Sequence, residues 1–355
     1  MRICLTWDYG TAFDFFTSLH VLHEPDRFGV RPAWAAGVRS RLTVEDRETL
    51  EQAESAIWIP LSWIQSLDAP KDSATALWAL RQIPARERLS TLNLSPKLPA
   101  GVAEIYQDVA ARASWGPGNL EALKAVYQDQ GSAPRPKILE TRLAVWAQAE
   151  SFGERYLQAL QSYQDVFFSE EEKRIRGALQ NAVEQAQVRA DQIPIQDLIE
   201  ELSHGVRLEN EFDWQELKLA PSYWISPLVV FEKLSDGQEF FLFGARPADV
   251  SLVPGELVPE GMLRTIKTLG DPTRLRILRY LSQESITPAE LARRLRLRAP
   301  TVTHHLNQLR LAGLVYLTLG DKGQRRYAAR SEAVEEAFEV LRTFLDGATG
   351  TEVEN

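Results

Sequence analysis

Cysteine is nearly absent from this chain. The one thiol, Cys4, excludes an internal disulfide and any multi-thiolate metal site within a single copy. It sits in the apolar, strand-like run Ile3-Cys4-Leu5, so it is expected to behave as a small buried hydrophobe. Histidine is scarce as well: His20, His23, His204, His304 and His305 are the full set, and none forms a cluster with ligand spacing. No metal site is expected. No apolar run approaches the ~18 to 20 residues that cross a bilayer. The N-terminus meets charge at Arg2, without the apolar stretch of a signal peptide. A cytoplasmic protein without membrane contact is the expectation. Also missing are a nucleophile with its base, a coupled acid–base pair and a phosphate loop. The chain is therefore read as a non-enzyme with no cofactor.

What is there begins with charge. Apolar residues make up 44% and charged residues 25% of 355, which is ordinary for a soluble globular protein of two domains. The net charge of −9 argues at first against a nucleic-acid partner, but its distribution reverses the inference. Between Arg264 and Arg330 there are 14 Lys and Arg against 4 acidic residues, a net of +10, and everything else carries −19. One compact segment is strongly basic.

Along the chain there is no internal repeat. Arg2 to Trp7 reads as a strand, followed by helical spacing at Phe13, Phe16, Leu19 and Leu22. Residues 43 to 130 suggest several short helices. One long helix is expected from Leu139 to Phe167, where apolar residues recur by threes and fours. A second, more polar helix is expected from about Glu170 to Asp191. Ser226 to Glu232 and Glu239 to Gly244, joined around Ser235-Asp236-Gly237, read as a β-hairpin that pairs with Arg2 to Trp7 in a small sheet. The Pro/Gly-rich stretch Arg246 to Gly261 marks a boundary. The expected class is α+β and mostly helical. It comprises an N-terminal α+β domain over 1–258, a C-terminal winged helix-turn-helix over 259–347 and a tail over 348–355.

The basic segment carries the sharpest signals. A first helix spans about Glu260 to Leu269. Asp271 is suited to an N-cap and Pro272 to the first helical position of a second, with Leu275, Ile277, Leu278 and Leu281 as its apolar face. Thr287-Pro288-Ala289-Glu290 is a capping box that opens a third. A fourth runs from about Ala299 to Leu311 and stops at Gly313. Strands at Leu314 to Leu319 and Gln324 to Ala329 flank a cationic tip. At 100° per residue, Val302, Leu306 and Leu309 share a buried face of the fourth helix, and His304 falls about 160° from Val302. Thr301 and Thr303 flank the boundary, with Asn307 and Gln308 near His304. A polar outer face in the N-terminal half of such a helix is what major-groove reading requires. Arg298, Lys322, Arg325 and Arg326 are placed to meet phosphates or the minor groove.

Leu269-Gly-Asp-Pro-Thr-Arg-Leu-Arg-Ile-Leu278, Thr287-Pro-Ala-Glu-Leu-Ala292, Pro300-Thr-Val-Thr-His-His-Leu306 and Leu311-Ala-Gly-Leu-Val315, with Tyr327 in the returning strand, resemble the ArsR family of bacterial repressors. The resemblance covers about the last 90 residues. It implies a homodimer whose contact helices are about Glu260 to Leu269 and Glu332 to Leu345, with Phe338, Leu341 and Leu345 as an apolar stripe. It also implies a palindromic duplex DNA operator. The chain departs from the family in two respects. The metal-ligating cysteines and histidines of its best-known members have no counterpart here, and about 255 residues precede the shared region. A small molecule or a partner acting through that N-terminal part is the expected control. An enzyme fused to an autoregulatory DNA-binding module, and a protein-interaction winged helix, stay open as alternatives.

His20 and His23 are expected to pack rather than ligate, and His305 to flank the core. The nine tryptophans, eight before residue 220, either line an effector pocket or belong to the core. Gly116-Pro117-Gly118 at a helix start reads either as an anion site or as the Gly-Pro turn that precedes many helices.

Overall fold

The computed structural model describes residues 3–94, 98–99, 101–129, 134–209, 214–247, 250, 258–320 and 324–346. The protein is α+β and mostly helical. Among the described residues, no helix is long and apolar enough to cross a membrane.

Strand β1 (Cys4–Trp7) lies at one edge of a four-stranded sheet. Its neighbours in order are β3 (Glu216–Ser222), β5 (Gln238–Gly244) and β4 (Val230–Ser235). The first three are parallel, and β4 pairs antiparallel with β5, closing the hairpin at Asp236-Gly237. The run Phe240-Phe-Leu-Phe243 is buried throughout because both faces of β5 are covered. Phe240 and Leu242 face the main helical core, and Phe241 and Phe243 face a second cluster with Leu198 and Ile199. The expected sheet thus forms, with β3 inserted between its parts. Cys4 corrects its expectation. It is exposed, because it opens an edge strand and points away from both clusters.

Helix α1 (Ala12–His23) runs through the main core and is buried along nearly its whole length. It supplies Phe13, Phe15 and Phe16, with Phe13 against Phe240 at 5.4 Å between ring centroids. A 3₁₀ turn, Pro25–Phe28, follows and ends at Gly29 in the left-handed region, φ 68°. Short helices follow: α2 (Pro32–Arg39), α3 (Val44–Ala56), α4 (Leu61–Gln65) and α5 (Ser73–Gln82) pack on α1, while α6 (Ala85–Asn93), α7 (Val102–Arg112) and α8 (Pro117–Asp129) extend the same core further out. At the start of α8 the Gly116 N–H is taken by the Asn119 side chain at 3.0 Å, so this turn is capped from within.

The long helix expected from Leu139 to Phe167 is two helices, α9 (Pro136–Ala147) and α10 (Ala149–Tyr163), broken at Gln148, φ −115° and ψ 28°. The apolar period continues across the break, so the break leaves no trace in the pattern. A π turn, Gln164–Phe168, then carries α10 straight into α11 (Ser169–Ala190). Helix α12 (Ile195–Leu202) leads to strand β2 (Val206–Leu208).

The C-terminal segment comprises α13 (Glu260–Leu269), α14 (Pro272–Leu281), α15 (Pro288–Leu295), α16 (Ala299–Leu311), the hairpin β6 (Val315–Leu319) and β7 (Arg325–Ala329), and α17 (Ser331–Leu345). It has its own core, in which Ile277, Leu291, Val302, Leu306, Leu309 and Leu314 are almost fully buried. Asp271 caps α14 by accepting from the Arg274 N–H, and Thr287 caps α15 by accepting from the Glu290 N–H. The Glu290 carboxylate turns away from the box and pairs with Arg294 instead. Gly313, φ 69°, stops α16. Leu275 departs from the expected apolar face and is 49% exposed. On α14 it lies 200° from Ile277, whose side chain defines the inward direction.

Candidate nucleic-acid interface

Helix α16 follows α15 after the turn Arg296 to Arg298, with Arg296 in the left-handed region at φ 55°. Because Val302, Leu306 and Leu309 turn inward, Thr301, Thr303, His304 and Asn307 are exposed and Gln308 is half-buried. These five residues therefore share the outer side of one helix. Their hydrogen-bonding groups differ in freedom. Thr303 Oγ1 donates to the Ala299 carbonyl at 3.0 Å, which leaves its lone pairs free to accept. His304 lies edge-on to His305, 5.9 Å between centroids. His305 is half-buried, its Nδ1 has no hydrogen-bond partner among the described residues, and burial lowers its pKa, which favours the neutral imidazole.

Cations surround this face. Arg293, Arg296 and Arg298 are exposed, and among the described residues no carboxylate pairs with them. Arg294 differs, since Glu284 and Glu290 bracket it at 2.6 and 2.5 Å. On the hairpin, Arg325 is exposed. Arg326 is half-buried and donates to the Ser285 carbonyl at 2.5 Å, so its guanidinium ties the wing to the loop before α15. Lys322 lies outside the described residues.

Sequence reasoning missed how tightly the N-terminal part grips this domain. Strand β2 adds in parallel to β6, making a three-stranded sheet β2-β6-β7. Gly205, φ 101°, immediately precedes that strand, and its carbonyl accepts from the Leu317 N–H at 2.8 Å. Arg207 then stacks on the Tyr316 ring, 3.5 Å from its centroid. Arg310, buried at the far end of α16, donates to the carbonyls of Ser203 at 2.9 Å and His204 at 3.4 Å. Its burial lowers its pKa to about 10, which keeps it charged at neutral pH. Three residues of strand are too short for an alternating pattern, so no signal for β2 exists in the sequence.

The result is a cleft. His304, Asn307 and Gln308 look across a space of about 620 Å3 at Asp26 and Arg27 of the 3₁₀ turn. A neighbouring space of about 510 Å3 separates His304 and Gln308 from Asp26 and Arg31. Thr301 and Thr303 line neither space. Among the described residues, no group of three His, Cys, Asp or Glu is placed to hold a metal ion.

Residues 269–317 match the family described as "Helix-turn-helix domain". A stretch of 50 residues is 44% identical to an uncharacterized HTH-type transcriptional regulator of Methanocaldococcus jannaschii. That match covers 14% of this chain and 56% of the relative, so it spans little more than half of the relative's length. No solved structure matches the chain. The segment built from α14, α15 and α16 is thus a helix-turn-helix domain, and the comparisons leave the N-terminal part unassigned.

Proposed function

We propose that this chain is a sequence-specific, DNA-binding transcriptional regulator of ArsR-like type. In this reading it is a homodimeric repressor whose N-terminal part responds to a small molecule rather than a metal and performs no catalysis. The observation that carries the reading is the outer face of α16. Thr301, Thr303, His304 and Asn307 stand exposed on the second helix of a helix-turn-helix, bordered by exposed arginines. Such a helix reads base edges from the major groove, while Arg298 and Arg325 meet phosphates.

Dimerisation is supported by α13 and α17, which pack together and leave Ile266, Phe338, Val340 and Leu345 exposed at 40%, 59%, 38% and 72%. Large apolar side chains concentrated on one helix pair favour burial against a second copy. Two-fold symmetry then presents two copies of α16 to a palindromic site.

The cleft adds a regulatory aspect to this reading. His304 and Gln308 share these spaces with Asp26 of the 3₁₀ turn, so a duplex laid against this part of α16 would meet that turn. The arrangement with Asp26 opposite His304 is therefore a closed form, and DNA selects one in which the 3₁₀ turn stands away. A mobility-shift assay on the DNA upstream of the protein's own gene tests the reading. A sequence-selective shift that weakens steeply with salt is expected. Equal binding to unrelated duplexes, or none at low salt, removes it.

A further inference from the structure

The N-terminal part contains a cavity of about 540 Å3 that the DNA-binding reading does not use. It opens where the end of α3 meets α4, α6, α7, α8 and α9. Its walls are polar and apolar in nearly equal measure, with Ile57, Trp58, Ile59, Trp63, Leu92 and Leu94 forming the apolar part. Its size falls within the range of small-molecule sites.

One side of this cavity is polar in a specific way. Arg142 donates from Nε to the Ser55 carbonyl at 2.6 Å and from Nη1 to the Tyr127 hydroxyl at 3.1 Å. Among the described residues its Nη2 has no hydrogen-bond partner and no carboxylate pairs with it. Next to this pair, Tyr106 is 1% exposed and stacked on Trp146 at 5.0 Å; its hydroxyl lies beside the Tyr127 hydroxyl and the Arg142 guanidinium but completes no hydrogen bond of good geometry among the described residues. The two cavity carboxylates are already engaged: Glu54 lies 2.6 Å from His20 Nδ1, and Glu232 accepts from Ser62 at 2.9 Å. A partly buried guanidinium without a counter-charge and a buried hydroxyl without a partner are both costly when left unmet. A carboxylate satisfies both, since it accepts from the guanidinium fork and from the phenol together.

We propose that this cavity binds a small organic acid with a flat apolar body. Its carboxylate is taken by Arg142 and the Tyr106 hydroxyl, and its body lies against Trp58 and Trp63. The cavity rim also touches the regulatory element. Arg27 lines it, with its guanidinium 5.5 Å from the Trp58 ring centroid, and Arg27 belongs to the 3₁₀ turn that faces His304 across the cleft. An acid stacked on Trp58 competes with Arg27 for that ring and shifts the turn. This last link rests on the regulator reading; the binding itself does not.

The test uses the full chain without DNA. Phenylacetate, 3-phenylpropionate and 2-naphthoate are titrated by calorimetry and thermal shift beside their primary amides. At least one acid is expected to bind saturably and about tenfold more tightly than its amide, the loss of one charge-assisted contact. Arg142→Gln is expected to erase that preference. Since Arg142 also holds Ser55, a variant that leaves the Arg142 bonds to Ser55 and Tyr127 in place is needed beside it. Tyr106→Phe is that variant, and it is expected to weaken the acid about fivefold while leaving the amide unchanged. Acid and amide binding alike, no saturation by any acid, or an unaltered acid-to-amide ratio in a folded Tyr106→Phe overturns the proposal. A failed mobility shift, in contrast, bears on DNA binding and leaves this site standing.

Discussion

Arg264 of α13 donates to the Gly29 carbonyl at 2.6 Å, and through its other terminal nitrogen to the Leu311 carbonyl at 3.2 Å. One guanidinium thereby ties the end of the 3₁₀ turn to the end of α16. Gly29 is held at φ 68°, and a Cβ there would stand 2.5 Å from the Arg264 guanidinium carbon. Gly29→Ala therefore meets backbone strain of roughly 1–2 kcal/mol together with a clash against the clasp. If the closed form hides α16, loosening the clasp raises the open population and tightens DNA binding by several-fold. Mobility-shift titrations at fixed salt check this. Weaker binding by a variant of unchanged melting temperature would count against the closed-form reading.

Base-reading and phosphate-meeting residues separate by how their loss is felt. Asn307→Ala, at an exposed site on α16, is expected to cost about 1–3 kcal/mol at the preferred site and little on random DNA. Arg325→Ala is expected to weaken both equally and to reduce the salt slope by about one. Arg326→Ala behaves differently, because that side chain holds the Ser285 carbonyl. Its main effect is a lower melting temperature. Paired titrations on specific and random duplexes separate the first two, and a thermal scan reads the third.

Much of the C-terminal domain was legible because its determinants are local. Caps at Asp271 and Thr287, the stop at Gly313 and the inward trio Val302, Leu306 and Leu309 each follow from a few adjacent residues. The N-terminal part was legible only in outline. The break at Gln148 leaves the apolar period intact. Strand β3 carries Pro221 within its run, which disguises it. The clasp of Arg264 on Gly29 and of Arg310 on Ser203 joins residues more than 100 positions apart, through backbone carbonyls that carry no residue signature. For the same reason the cavity residues Arg142 and Tyr106 were not singled out. Each is unremarkable in its own helix, and only the packing of α7 on α9 makes a site of them.

The apolar edge formed by α13 and α17 makes a prediction about assembly. Phe338, 59% exposed, is a side chain whose replacement disturbs little within one copy. Phe338→Asp is expected to leave the thermal transition of a dilute sample nearly unchanged while shifting sedimentation from dimer to monomer. Loss of one half-site then weakens DNA binding by about two orders of magnitude, the avidity of paired sites. A variant that sediments like the parent places the dimer contact elsewhere.

Asp14 gives stability a pH dependence of unusual sign for a carboxylate. It is fully buried in α1, where burial pushes its pKa up from 3.8 to about 7, although Oδ1 accepts from the Ser222 hydroxyl and the Trp224 N–H at 2.8 Å each. Below 3.8 the group is protonated whether the chain is folded or not. Between 3.8 and about 7 the native chain keeps a proton that the unfolded chain releases, so stability falls as pH rises through that window. The full cost, of the order of a few kcal/mol, is reached above pH 7. Asp14→Asn keeps the Oδ1 acceptor and carries no charge, and its second polar atom replaces an Oδ2 that already lacks a partner. Calorimetric scans from about pH 5 to 8 are therefore expected to show the parent's melting temperature falling by several degrees more than the variant's. The variant should be the more stable of the two at the alkaline end. Parallel profiles would assign the titration to another group.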